Sequence, residues 1–146
     1  MRDITLNHEQ VLAILPHREP MLLIDTVAAL VPGEFVKASF YVDPERDIFR
    51  GHFPDEPVLP GVYTVEATAQ AADILLLSLE RYAGRKPLFL GIGNVSFCRK
   101  ILPGETLVIE AKLISERLEK AIATCRAVVT VGDEKAAETE VTLAMR

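Results

Sequence analysis

Cysteine is scarce in the chain: among 146 residues there are two, Cys98 and Cys125. They form no CxxC or other close pair from which a metal site is built, so no metal is expected. Both are read as reduced thiols in strands, since nothing in the sequence supports a disulfide between them. No apolar run approaches the ~20 residues of a membrane span, and Met1-Arg2-Asp3-Ile4 opens no stretch resembling a signal peptide. A soluble, cytoplasmic protein with no membrane partner is therefore the expectation. Basic residues are also in short supply, with 16 Lys and Arg against 21 Asp and Glu and a formal net charge of -5. Nucleic acid, which wants a basic face, is not the expected partner, and an anionic ligand has to be met by a local basic patch. Linkers, low-complexity tracts and repeats are missing too. Residues 1–146 are thus read as one domain, long enough to bury roughly 68–70% of its extended chain's surface.

What the chain has in abundance is apolar side chains. Hydrophobic residues make up 49% of it and the mean hydropathy is +0.22, which leaves apolar surface for an oligomer to hide. At least a dimer is expected. Asn7 or Thr5 is placed to cap a short helix from His8 to Leu15, stopped by Pro16. A first strand is read at Leu22 to Ala29. Glu34 to Val42 alternates, with Val36, Ala38, Phe40 and Val42 on one side, as a half-buried strand does.

After Pro60-Gly61 the pattern changes. From Val62 to about Tyr82 there is neither proline nor glycine, which predicts a helix about 30 Å long. It is apolar nearly all round, so other structure should surround it. Four strands are predicted after it: Leu88 to Phe97, Thr106 to Leu118 behind the Pro103-Gly104 turn, Ala121 to Val131, and Lys135 to Met145 behind a Gly132-Asp133 hairpin turn. One buried helix with strands before it and long antiparallel strands after it implies an α+β domain, a curved sheet wrapped around a central helix.

The most informative stretch is Arg50-Gly51-His52-Phe53-Pro54 with Leu59 to Gln70 behind it. It sets a histidine beside a turn and a carboxylate, Glu66, inside an almost wholly apolar helix. Histidine suits proton transfer near neutral pH, and a carboxyl in apolar surroundings is suited to act as an acid. The pairing points to acid and base catalysis without metal. Each residue also has a plainer reading: His52 as a structural turn histidine, and Glu66 as a cap on the first helical turn, favoured there by the dipole. The apolar neighbours of Glu66 weigh against a solvated cap. Gly61 stands where the helix should begin, so its amide is left unpaired at the positive end of the dipole. Gln70 lies one turn beyond Glu66 on the same face, placed to hold its carboxyl.

Five ordered blocks carry a resemblance. They are Leu15-Pro16-His17-Arg18-Glu19-Pro20-Met21-Leu22-Leu23-Ile24-Asp25; Gly51-His52-Phe53-Pro54; Leu59-Pro60-Gly61-Val62; Glu66-Ala67 with Gln70; and Phe89-Leu90-Gly91-Ile92 followed by Pro103-Gly104. Over nearly its whole length the chain resembles the (3R)-hydroxyacyl-acyl-carrier-protein dehydratases of bacterial-type fatty acid synthesis, which have the hot-dog fold. The resemblance implies dehydration of a 3-hydroxyacyl thioester to the trans-2-enoyl thioester. It implies His52 as base, with its second ring nitrogen fixed by the carbonyl near Val58, and Glu66 as acid. It also implies an amide at Gly61 polarising the thioester carbonyl. The non-isomerising branch is indicated, because Glu66 stands where the isomerising relatives carry aspartate. No cofactor is implied beyond the substrate's own phosphopantetheine.

The same resemblance implies acyl carrier protein as partner and a homodimer, often a trimer of dimers, in which His52 of one copy faces Glu66 of the other. Arg50, Arg99 and Lys100 are candidates to meet the acidic carrier or its phosphate. His17, in the turn before the first strand, is read as structural. Glu19, Met21, Thr68, Asp73 and Gly93 depart from the family pattern, which leaves chain-length preference open. A buried unpaired carboxylate is costly, so Asp73 is expected to be paired or to face water. The departures leave room for a dehydratase of polyketide or aryl-polyene type, and a coenzyme A ester remains an alternative substrate. A hot-dog thioesterase is the rival enzyme class, disfavoured by His52 and the Leu59-Pro60-Gly61 turn. A noncatalytic acyl-thioester sensor is the third reading; a regulator is expected to carry an added DNA-binding segment, which a chain read as one domain does not suggest.

Overall fold

The computed structural model describes residues 4–146. A short strand, β1 (Ile4–Leu6), which the sequence pattern did not reveal, leads into helix α1 (His8–Ile14). Asn7 is the residue that caps α1. Its side chain accepts from Gln10 N while the Gln10 side chain accepts from Asn7 N, which satisfies two amides of a helix start reciprocally. Leu15, extended ahead of Pro16, ends the helix.

The first long strand is displaced from its expected place. Strand β2 covers Thr26–Val31, while Leu22, Leu23 and Ile24 form a buried segment outside the sheet. The cause is a side chain from the central helix: Gln70 accepts from Leu23 N at 2.8 Å and donates to Met21 O at 2.9 Å. The amide takes the place of a neighbouring strand in meeting this backbone.

Strands β3 (Phe35–Tyr41), β4 (Pro87–Phe97), β5 (Thr106–Arg117), β6 (Ile122–Val131) and β7 (Glu134–Met145) complete a seven-stranded antiparallel sheet in the order β1-β2-β3-β5-β6-β7-β4. Period-two alternation puts Val36, Ala38 and Phe40 of β3, Leu107, Ile109 and Ala111 of β5, and Val141 and Leu143 of β7 in the core. There they meet α2 (Gly61–Leu77), whose 17 residues span about 26 Å. Every residue of α2 from Ala67 to Leu77 is buried. The alanines at 67, 69, 71 and 72 let the sheet come close, and Ile74 to Leu77 fill the far end. Burial of each such large side chain contributes about 1.5–3 kcal/mol.

The helix stops at Leu77, short of the Tyr82 expected from the absence of glycine and proline. Gly33 N, in the β2–β3 turn, donates to Leu75 O at 3.1 Å, and Ser78 Oγ donates to the same carbonyl at 3.0 Å. Leu79 then turns into an extended conformation against Gly33, where an added Cβ would approach its side chain to 2.9 Å. A turn of 3-10 helix (Glu80–Tyr82) follows, and it buries Tyr82 with its hydroxyl donating to Glu116. Tertiary bonds to the last helical turn therefore outweigh the local sequence signal.

Strand β4 pairs only with β7 and so forms one edge of the sheet. It exposes Leu88, Phe89, Leu90, Ile92, Val95 and Phe97. A long apolar edge of this kind presents unpaired backbone groups to a further strand.

Candidate active site

His52 follows a 3-10 turn at Asp47–Arg50 and sits in a loop that closes on itself. His52 N donates to Ile48 O, and Val58 N donates to His52 O at 3.1 Å. The ring Nδ1 lies 2.8 Å from Val58 O, and the Phe53 ring stacks on the imidazole with centroids 4.1 Å apart. A carbonyl oxygen only accepts, so this bond requires the proton on Nδ1. In the neutral ring Nε2 then carries a free lone pair, the form a general base needs.

Gly61 is the first residue of α2, and its N-cap, Pro60, provides no side-chain bond. The helix start therefore offers free amides. Gly61 lines an open cleft of about 450 Å³ with Leu59, Thr64 and the Phe97 to Ile101 segment. An added Cβ at Gly61 would lie 2.8 Å from the Phe97 ring, so the close approach of strand and helix here depends on glycine. The sequence reading did not single out Phe97 as a wall of this cleft. A cross-chain contact of this kind has no local signature.

Glu66 lies one turn further along α2. Gln70 Nε2 donates to Glu66 Oε2 at 2.9 Å. With its other hydrogen on Met21 O and its oxygen on Leu23 N, the fully buried Gln70 amide has its donors spent and its orientation fixed. Glu66 Oε2 must therefore accept, and a proton on the carboxyl belongs on Oε1. Glu66 opens to a cleft lined by Pro20, Met21, Leu23, Val62 and Tyr63.

His17 was expected to be structural, yet the structure sets its Nε2 4.0 Å from Glu66 Oε2 and 3.9 Å from Asp73 Oδ2. Burial lowers the pKa of His17, against the opposing pull of Glu66. The available signal was the spacing of Glu66, Gln70 and Asp73 along one stripe of α2; which residue would cover that stripe was not legible. Asp73 corrects an expectation as well. It does not face water, being 3% exposed, and His17 Nε2, 3.9 Å from its Oδ2, is beyond hydrogen-bond reach. Its Oδ1 has no partner among the described residues. Burial, reinforced by Glu66, holds its pKa well above the usual carboxylate range. Thr68, another departure, is satisfied through Thr64 O.

The candidate docking cations differ. Arg50 and Lys100 are exposed, beside Asp47 and Glu56 respectively. Arg99 is more enclosed and is bonded to Glu105 at 2.7 Å, which fixes the Leu102–Glu105 turn. Cys98 is exposed and Cys125 buried, both as free thiols, and burial pushes the Cys125 thiol up to about 12. No hydrogen bond or ion pair joins His52 to Glu66 among the described residues.

The FabA-like domain model matches residues 15–140. The chain belongs to the FabA-like family. Among curated proteins, the 3-hydroxyacyl-[acyl-carrier-protein] dehydratase FabZ of Latilactobacillus sakei is 44% identical over 137 residues, covering 94% of this chain and 96% of that protein. The protein of the same name from Oenococcus oeni is 46% identical over 123 residues, covering 84% and 87%. Among solved structures, the dehydratase heterocomplex ApeI:P from Xenorhabdus doucetiae aligns with a TM-score of 0.75 at 18% identity, over 93% of this chain and 90% of that one. A hypothetical thioesterase with coenzyme A from Streptococcus pneumoniae aligns with a TM-score of 0.61 at 10% identity, over 82% and 84%. At these identities the structural likeness speaks for the hot-dog fold, which this FabA-like chain has.

Proposed function

We infer that this protein is a 3-hydroxyacyl-acyl-carrier-protein dehydratase of fatty acid biosynthesis, a hydro-lyase. The observation that carries the reading is the bond from His52 Nδ1 to the Val58 carbonyl, which leaves Nε2 free as a base, within a chain that matches curated dehydratases over nearly its full length.

Loss of water from a 3-hydroxyacyl thioester needs a base at C2, an acid at the C3 hydroxyl and a donor to the thioester oxygen. His52 Nε2 takes the C2 proton. Electron density moves into the thioester, whose oxygen is met by the Gly61 amide at the positive end of α2. Glu66 gives the proton on Oε1 to the leaving hydroxyl, with Gln70 holding Oε2. The C3–oxygen bond breaks, water departs, and the trans-2-enoyl thioester remains. Acid and base catalysis of this type contributes about 10²–10⁴-fold per group. Side chains and one amide fill all three roles, so the reading invokes no metal or organic cofactor, and the phosphopantetheine arm arrives with the substrate. The arm fits the cleft between Gly61 and Lys100, with the exposed Arg50 and Lys100 placed to meet the carrier.

Two copies complete the site. Among the described residues no hydrogen bond or ion pair joins His52 to Glu66, and β4 presents a long apolar edge for a second copy. Pairing along that edge sets the His52 loop of one protomer against the Glu66 face of the other. The test of the activity is incubation with 3-hydroxyacyl-carrier-protein, following products by mass, beside His52→Ala and Glu66→Gln. Enoyl product that vanishes in both variants is expected; release of free carrier thiol would instead make the protein a thioesterase.

A further inference from the structure

Beyond Glu66 the cleft continues into a second recess of about 260 Å³, lined by His17, Met21, Glu66, Ala69, Asp73 and Phe89 among others. Its lining is mixed, with Met21, Ala69, Pro87, Phe89 and Leu143 apolar and His17, Glu66 and Asp73 polar. There Asp73 is buried with Oδ1 unpartnered, and His17 Nδ1 is likewise without a partner. Asp73 lines the recess, and a hydroxyl entering it, which both donates and accepts, would be matched by that carboxyl, whereas a purely alkyl chain would leave it unmatched. The span is short, because one imidazole, His17, lies within 4.0 Å of both Glu66 and Asp73.

We propose that Asp73, backed by His17, is a specificity-determining residue that selects a 3-hydroxyacyl substrate bearing a second hydroxyl a few carbons beyond C3. The proposal rests on the dehydratase reading and narrows it: the enzyme works on an oxygenated acyl chain in preference to a plain alkyl one. The reaction that supplies the substrate must leave an acyl oxygen in place instead of reducing it away. Burial holds the pKa of the Asp73 carboxyl well above the usual range, which favours the protonated form, a donor and an acceptor without charge.

The test is a competition between pairs of 3-hydroxyacyl-carrier-proteins of equal length, one alkyl and one with a hydroxyl at successive carbons beyond C4, scored as the ratio of enoyl products. A ratio from one enzyme sample is insensitive to partial loss of folded protein. The native protein should favour one hydroxylated position by about tenfold or more. Asp73→Ala should lower that ratio about tenfold, and Asp73→Asn, which still hydrogen-bonds, should lower it less. Equal use of both substrates, or a ratio unmoved by Asp73→Ala, overturns this proposal while leaving the dehydratase intact. Absence of enoyl product from every substrate overturns the dehydratase reading and this proposal with it.

Discussion

The loop that carries His52 closes on itself, its ring bonded to a carbonyl six residues away, whereas Glu66 is held from far along the chain. Gln70 ties Glu66 to Met21 and Leu23, and His17 lies against it from the turn after α1. The two halves of the proposed site are therefore of different kinds. The histidine can be altered with little consequence for the fold. The glutamate face doubles as the joint between the central helix and the segment entering β2, so function and stability are coupled there.

That contrast is sharpest for His52→Ala. Turnover should fall by about 10²–10⁴-fold, while stability in a urea titration should drop by only about 1 kcal/mol, the worth of one hydrogen bond. A collapse of stability in this variant would erase the distinction. Gln70→Leu should behave in the opposite manner. It orphans Leu23 N and Met21 O and releases Glu66, and each unmatched buried group costs about 1–3 kcal/mol. A lowered melting temperature and reduced turnover should appear together, and retention of both would show that the joint does not depend on this amide.

Asp73→Ala probes the same face with the sign reversed. Burial raises the folded carboxyl's pKa well above its ordinary value of 3.8, so above that value the folded chain retains this proton more than the unfolded one does. The unfolded chain then binds fewer protons, so this group lowers stability as pH rises from that value. Asp73→Ala should accordingly be more stable than the native protein at neutral pH, by about 1 kcal/mol. The difference should shrink as pH falls towards 4, as read from urea midpoints across the range; a difference independent of pH would contradict the assignment. The smallest effect is expected at Arg50, which is exposed and paired with Asp47. Arg50→Ala should leave stability within about 0.5 kcal/mol and raise KM for the carrier-bound substrate in a salt-dependent way, without changing kcat.

The same division decides what could be read from the chain before its structure. Strand alternation at Val36, Ala38 and Phe40, the Gly132-Asp133 hairpin and the uninterrupted helix after Gly61 are local signals, and they appear in the fold where periodicity puts them. Features set by contacts across the chain were not legible. Leu22 to Ile24 looked like a strand because apolar runs do, yet a helix side chain takes their backbone. The helix end at Leu77 depends on Gly33, and the neighbour of Glu66 turned out to be His17. The histidine motif and the glutamate could be named from residue types and spacing. The unmatched carboxyl of Asp73 could be suspected, but not the recess it faces.

The proposed site is shared, with the self-contained loop of one copy meeting the helix face of another. Co-expression of His52→Ala and Glu66→Gln chains, with purification of the mixed assembly, tests it directly. Each mixed dimer with two-fold symmetry would regain one of its two sites, so turnover at about half the native rate is expected for the purified mixed dimer. Mixed assemblies as inactive as either variant alone would place both residues of each site in a single chain and contradict it.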